Sequence, residues 1–287
     1  MKSKLTLVFF SAVLLTMVLP YGCSRARQAM GRPMLMVSIE PLRYFVEQIA
    51  GDQYKVVSVV PEGYSPESYR PTPQQLMELS ECQAYFKVGE LGFETTWLAH
   101  AVENQPQLHI VDTSDSLRHA GSGHALATFD PHTWTSPRNA ALICATICEA
   151  LCRMDSVHAP QFRENLRHAR ATIDSTDARL HALLADVPCR TFITVHPSLT
   201  YFAQDYGLRQ LCIERDGKEP TPQDMRLLIR QSREENVRVI LLHKQFAHEQ
   251  ASLVSRETGA QMADVNPLGY DWPEEMLRIA RALKTNP

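Results

Sequence analysis

The chain is predicted to be an α/β protein of two lobes, each a parallel sheet flanked by helices, joined by one long rigid helix with the ligand cleft between them. Three observations carry that expectation. Between Pro160 and Pro188 there is no other proline and no glycine, and Phe162, Leu166, Ala169, Ile173, Thr176, Leu180, Leu183 and Val187 recur at alternating spacings of four and three. That spacing lays one stripe along a single helix. On both sides of it, strand patterns alternate with helical ones, as in parallel sheets covered by helices. Finally, polar side chains follow several of the strands, where open parallel sheets hold their ligands.

Pro160 suits a first helical turn and Pro188 ends the pattern. The stretch between them would span about 40 Å at about 1.5 Å per residue. Its other face carries Arg163, Glu164, Arg167, Arg170, Asp174, Asp177 and Arg179, so it is wet. A two-helix coiled coil is the alternative, weakened by Thr176 and Ala169 in the seam. The alternation on either flank decides for a strut between two lobes.

Before the strut, residues 1–22 are predicted to be a signal. Lys2 and Lys4 precede an apolar run from Leu5 to Pro20, and Gly22 stands before Cys23. A run of this length is too short to span a membrane comfortably and fits a secretory leader. Cys23 directly after Gly22 resembles a bacterial lipoprotein signal, so a lipid anchor at Cys23 is expected. Pro20 and Tyr21 depart from the usual residues there, and an ordinary secretory cut is the alternative. Residues 23–32 form a polar, basic tether. The lobes are expected at 33–157 and 188–287, with the linking helix at 158–187. Either reading of the signal predicts an exported protein, periplasmic or on the cell surface; a monomer is expected.

Removing Met1 to Gly22 takes away two lysines and no acid, which moves the formal charge from −3 to −5. With no basic patch, nucleic acid is not an expected partner. Of the seven cysteines, Cys144, Cys148 and Cys152 share one helical face among apolar neighbours and read as buried free thiols. Cys189 and Cys212 border strands, and an exported protein allows them to pair.

In the first lobe, strands are expected at 34–39, 54–60, 84–88 and 108–111. Helices follow at Leu42–Ile49, after Thr72-Pro73, and from Glu94 to Glu103. The loop Pro61 to Pro71 leaves the second strand. Periodicity is lost from Asp112 to Phe129, where His119 and His124 lie. Asp130-Pro131-His132-Thr133-Trp134 follows, and Pro137 opens the next helix. In the second lobe, strands are expected at 191–195, 211–213, 237–242 and 262–265. His196 stands at the end of the first of these and Asn266 at the end of the last.

Four polar side chains thus sit past strand ends or at the end of the long loop: Glu67, His132, His196 and Asn266. Two come from each lobe, and they converge if the lobes face each other. Two imidazoles, a carboxylate and an amide oxygen make a mixed nitrogen and oxygen set of the kind zinc or manganese accepts.

Taken together, several stretches resemble the metal-binding solute receptors of bacterial ABC importers, the zinc and manganese group. They are Pro61 to Pro71, Val88-Gly89 with Gly92-Phe93-Glu94 and Trp97-Leu98, and Asp130 to Trp134. They continue in His196 with Tyr201-Phe202-Ala203 and Tyr206-Gly207-Leu208, in Glu219-Pro220-Thr221-Pro222, and in Glu257 to Ala260 through Pro267-Leu268-Gly269. The resemblance covers the whole chain. It implies two α/β lobes, a rigid joining helix, a cleft-bound divalent metal and an ABC transporter permease as partner. Zn2+ is the implied ion, with Mn2+ or Fe2+ as alternatives. His132 and His196 match the family pattern directly. Glu67 stands where the family usually has histidine, and Asn266 where it usually has aspartate. Asp264, on the same strand face as Asn266, could substitute for it. His119 and His124 read as auxiliary at most. His243 occupies a position where relatives tend to carry an acid, and either a supporting or a plain surface role fits it.

Two other functions remain on this reading. A zinc hydrolase would use Glu67, His132 and His196 with an open water position, and would need a general base beside that water. No His-Glu-x-x-His helix is present. A relative that lost its metal and acts as an adhesin is the other. Binding without catalysis is the expectation.

Overall fold

The computed structural model describes residues 31–103, 105–119, 129–214, 219–244 and 249–284. The expected signal and the expected anchor position, Cys23, lie outside the described residues, as does His124. Among the described residues no helix is long and apolar enough to cross a membrane.

Two parallel four-stranded sheets form the frame. The first holds β1 (Met34–Val37), β2 (Lys55–Ser58), β3 (Ala84–Lys87) and β4 (His109–Asp112) in the order β2-β1-β3-β4. The second holds β5 (Thr191–Thr194), β6 (Arg209–Cys212), β7 (Val239–His243) and β8 (Gln261–Val265) in the order β6-β5-β7-β8. The two orders are the same, although no sequence repeat announces it. In each sheet the winding reverses beside the first strand, and that reversal opens a crevice at the carboxyl ends. The strands are short, and the inner ones are the most apolar: all five positions of β7 are buried.

Some of the helices begin where the sequence supplies a capping side chain. Thr72 and Gln75 form a capping box for α2 (Pro73–Glu81), which follows α1 (Glu40–Ala50). The expected third helix starts as a wide π turn over Glu94–Leu98 and continues as α3 (Ala99–Glu103). A short helix, α4 (Asp115–His119), lies in the stretch that shows no periodicity. Ser136 caps α5 (Pro137–Met154) by accepting from the Asn139 backbone.

The long helix is α6 (Ala159–Leu184). Phe162, Ala169, Ile173, Thr176 and Leu180 of the predicted stripe are buried, while Leu166, Leu183 and Val187 pack at its margin. Buried Thr176 satisfies its hydroxyl on the Thr172 carbonyl at 2.8 Å, which explains how a polar residue sits in the seam. The helix stops four residues before Pro188, because that proline has no N–H to continue the ladder and turns Val187 away from the helical region.

Beyond it come α7 (Thr200–Asp205), α8 (Pro222–Glu234), α9 (Glu249–Thr258) and α10 (Trp272–Lys284). Helix α6 packs against α1, α5 and α10. Although α10 closes the chain, Trp272 inserts beside Phe45 of α1 with ring centroids 5.3 Å apart. One apolar core therefore runs from the first sheet through α6 to α10, and a second, smaller one fills the far side of the second sheet.

The six described cysteines are all free. Cys144 and Cys148 are buried, and burial pushes their thiols up to about 12 and about 11. Cys189 and Cys212 do not pair: the Cys212 thiol donates to the Val195 carbonyl at 2.9 Å, and the Cys189 thiol contacts the Thr191 carbonyl at 3.2 Å.

Candidate metal centre

Glu67 sits on the loop between β2 and α2, and its position depends on a second loop. The Gly92 N–H donates to Glu67 Oε2 at 3.2 Å, and the Phe93 N–H to the Pro66 carbonyl at 3.1 Å. A side chain at Gly92 would meet the Glu67 carbonyl oxygen at 2.5 Å, so only glycine allows this approach. That second loop is held from beneath by Glu94. Its buried carboxylate accepts the N–H groups of Val88 and Gly89 at 2.8 Å each and of Leu91 at 3.3 Å, together with the Ser38 hydroxyl. Burial raises the Glu94 carboxyl above the usual range, and these bonds oppose the rise without cancelling it.

His132 is buried at the start of a 3-10 turn, Thr133–Thr135. Its Nδ1 lies 2.7 Å from Asp130 Oδ1, which also accepts the His132 backbone N–H at 2.9 Å. Burial alone would raise the Asp130 carboxyl, but the bonds from His132 outweigh it and hold it below the usual range. The second half of the chain grips this turn: the Tyr201 hydroxyl donates to the Asp130 carbonyl at 3.0 Å. Trp134 Nε1 donates to the Pro267 carbonyl at 2.8 Å, and Trp272 Nε1 to the Trp134 carbonyl at 2.6 Å.

His196 follows β5, and its Nδ1 lies 2.9 Å from Glu214 Oε2. With a carboxylate on each Nδ1, both rings turn Nε2 inward, the arrangement by which proteins orient metal-binding imidazoles. The two Nε2 atoms are 3.2 Å apart, and Glu67 Oε1 is 4.0 Å from His132 Nε2. The donor atoms of Glu67, His132 and His196 all lie within 4.8 Å of one another. A tetrahedral zinc shell with bonds of about 2.0–2.1 Å separates its donors by roughly 3.3 Å, so the set fits one ion with little movement. The cavity beside it measures about 20 Å³, room for a single water-sized occupant.

The other predicted residues fall differently. Asn266 is buried at the end of β8, where its Nδ2 donates to Glu62 Oε1 at 3.0 Å, and it is not among the residues lining the cavity. Asp264 is exposed on β8 and lies outside the Glu67, His132 and His196 cluster. His243, in contrast, is 2% exposed and lines the cavity. Burial, then the neighbouring His196 and His132, push its pKa down to about 3, so its ring is neutral at pH 7.

The sequence reading missed the two carboxylates that orient the histidines. Asp130 was visible two residues before His132. Glu214 was not, because only the pairing of β5 with β6, Thr194 opposite Cys212, brings it beside His196.

Two helix-flanked parallel sheets, with a cleft holding two carboxylate-oriented imidazoles and a third carboxylate, define a metal-binding solute receptor of the class that serves ABC importers. The chain belongs to the family described as zinc-uptake complex component A, periplasmic, which matches residues 35–285. A crystal structure of ZnuA superposes with a TM-score of 0.80 at 34% identity, covering 87% of this chain and 96% of that one. The zinc-binding lipoprotein AdcA of Streptococcus pneumoniae strain R6 is 25% identical over 282 residues, covering 92% of this chain and 55% of its own length. The iron-binding protein YfeA of Yersinia pestis is 27% identical over 226 residues, covering 76% of this chain and 72% of its own. The family resemblance read from the sequence is correct.

Proposed function

We propose that this receptor captures Zn2+ outside the cytoplasm and passes it to the permease of an ABC importer, with Glu67, His132 and His196 as ligands. The observation that carries the reading is the pair of Nε2 atoms 3.2 Å apart, each ring fixed by a carboxylate on its other nitrogen. Imidazole nitrogen favours zinc over the harder manganese, while the Glu67 oxygen keeps Mn2+ or Fe2+ as the alternative cargo. The iron-binding relative supports keeping that alternative. Asn266 serves in this proposal as a clasp on Glu62, while its amide oxygen is at most a weak donor that water replaces.

A hydrolase needs a base beside a metal-bound water. Asp130 and Glu214, which flank the two histidines, are each bound to a ring nitrogen, which favours holding a metal over using it. The proposal includes export as a monomer tethered through a lipid on Cys23. Metal content of the protein purified without added metal, followed by competition of zinc against manganese, tests it. Zinc bound at one equivalent and displacing manganese is the expected result; preference for manganese or iron would replace the cargo, and no bound metal would end the reading.

A further inference from the structure

Across the second sheet, three polar side chains fall into one row. Thr194 of β5 pairs with Cys212 of β6 on one side and with Leu241 of β7 on the other. Continued two residues further, past the ends of β5 and β6, the same register would set His196 between Glu214 and His243. Residues two apart project from the same face of a strand, and neighbouring strands lie about 4.8 Å apart. One half of the row is realised as a contact, since His196 Nδ1 meets Glu214 at 2.9 Å. His243 holds the matching place on the other side.

The row lies at the β5–β7 crevice, where the strand order β6-β5-β7-β8 reverses and where such sheets gather their ligands. His243 is buried, yet it lines the same small cavity as Glu67, His132 and His196. It stands outside the three groups whose donors lie within 4.8 Å of one another, so it must move inward to reach an ion they hold.

Resting on the receptor reading above, we infer that His243 is a third imidazole donor, which closes around the ion and makes the shell three nitrogens and one carboxylate. The ligand class is then an imidazole-preferring divalent cation, zinc above all, and His243 is the residue that disfavours manganese.

X-ray absorption at the zinc edge counts the imidazoles on zinc in the full protein, and competition titration gives the zinc-to-manganese ratio. Wild type should show three imidazoles. His243→Gln, which keeps the size and polarity of the side chain, should show two, with zinc affinity down at least roughly 10- to 100-fold and manganese affinity changed less. A melting curve for His243→Gln establishes that it folds, and His243→Asn provides a second variant with the same expected count. Two imidazoles in wild type, or three in the variants, would overturn the role of His243. If wild type held no zinc, or if His132→Ala and His196→Ala bound it unchanged, the receptor site itself would be wrong.

Discussion

Asn266 donates its side-chain amide to Glu62 at 3.0 Å, joining the end of β8 to the loop that follows β2. Lys244 reaches the same Glu62 oxygen at 3.3 Å. The loop that carries Glu67 is thus tied to the second sheet five residues before Glu67. An aspartate at this position would face Glu62 with like charge in place of a donor. Asn266→Asp is expected to speed zinc release, and Glu62→Gln added to it should restore the slow rate. Stopped-flow chelator chase measures both. Tighter zinc binding in Asn266→Asp would instead make residue 266 a ligand, as its place in the sequence first indicates.

Gly92→Ala tests how Glu67 is held. The added methyl would lie 2.5 Å from the Glu67 carbonyl oxygen and 2.9 Å from its Oε2, and the exposed loop must give way. The fold should survive, because the added methyl meets only Glu67 and leaves the buried side chains of Leu91 and Phe93 untouched. Zinc affinity should fall roughly 10- to 100-fold, the range for losing a group that orients a ligand. Calorimetric titration beside a thermal melt separates the two effects; an unchanged affinity would detach Glu67 from the site.

The strands and the long helix were legible because burial writes a pattern into the sequence: short apolar runs for strands covered on both faces, as in β7, and alternating fours and threes for α6. His132 and His196 were legible for a different reason, each standing after a recognisable break in that period. What was not legible depends on pairing between strands. Glu214 meets His196, and His243 lines the cavity beside it, only through the register of β6 and β7 on β5, which no single stretch encodes. The place of α10 against α1 is likewise hidden, since its amphipathic pattern says that a face is buried and not against what. The position of Asn266 at a strand end was legible; the bond from its amide to Glu62, 204 residues away, was not.

Glu94 predicts a pH dependence unrelated to metal. Its folded-state carboxyl is raised by burial, while in the unfolded chain it titrates near about 4.3. Below that value both states hold the proton and folding carries no ionisation cost. As pH rises from there toward the folded value, the unfolded state releases its proton first and gains stability relative to the native state. Metal-free protein should therefore lose part of its stability as pH rises from the unfolded value through the raised one. Glu94→Gln should lose that dependence while being less stable throughout, because an amide offers one acceptor to a nest of donors. Denaturant unfolding at several pH values compares the two; parallel curves would remove Glu94 as the cause.

The ligand assignment stands or falls on a graded series. Replacing His132 or His196 by alanine removes a neutral nitrogen donor and also frees a carboxylate in a partly closed site. Each should weaken zinc binding beyond the roughly 100-fold that marks the loss of an orienting partner. Asp130→Asn and Glu214→Gln leave the rings in place but loosen their orientation, so each should cost roughly 10- to 100-fold. Glu67→Ala should weaken zinc and manganese together, whereas Glu67→His should shift the preference toward zinc, since imidazole replaces the oxygen that suits the harder ion. Release on acidification follows from the same chemistry, because both histidines must be neutral to bind. Competition calorimetry at neutral pH ranks the series. A ranking in which Asp130→Asn or Glu214→Gln costs more than the loss of either histidine would mean that the carboxylates, and not the imidazoles, hold the ion.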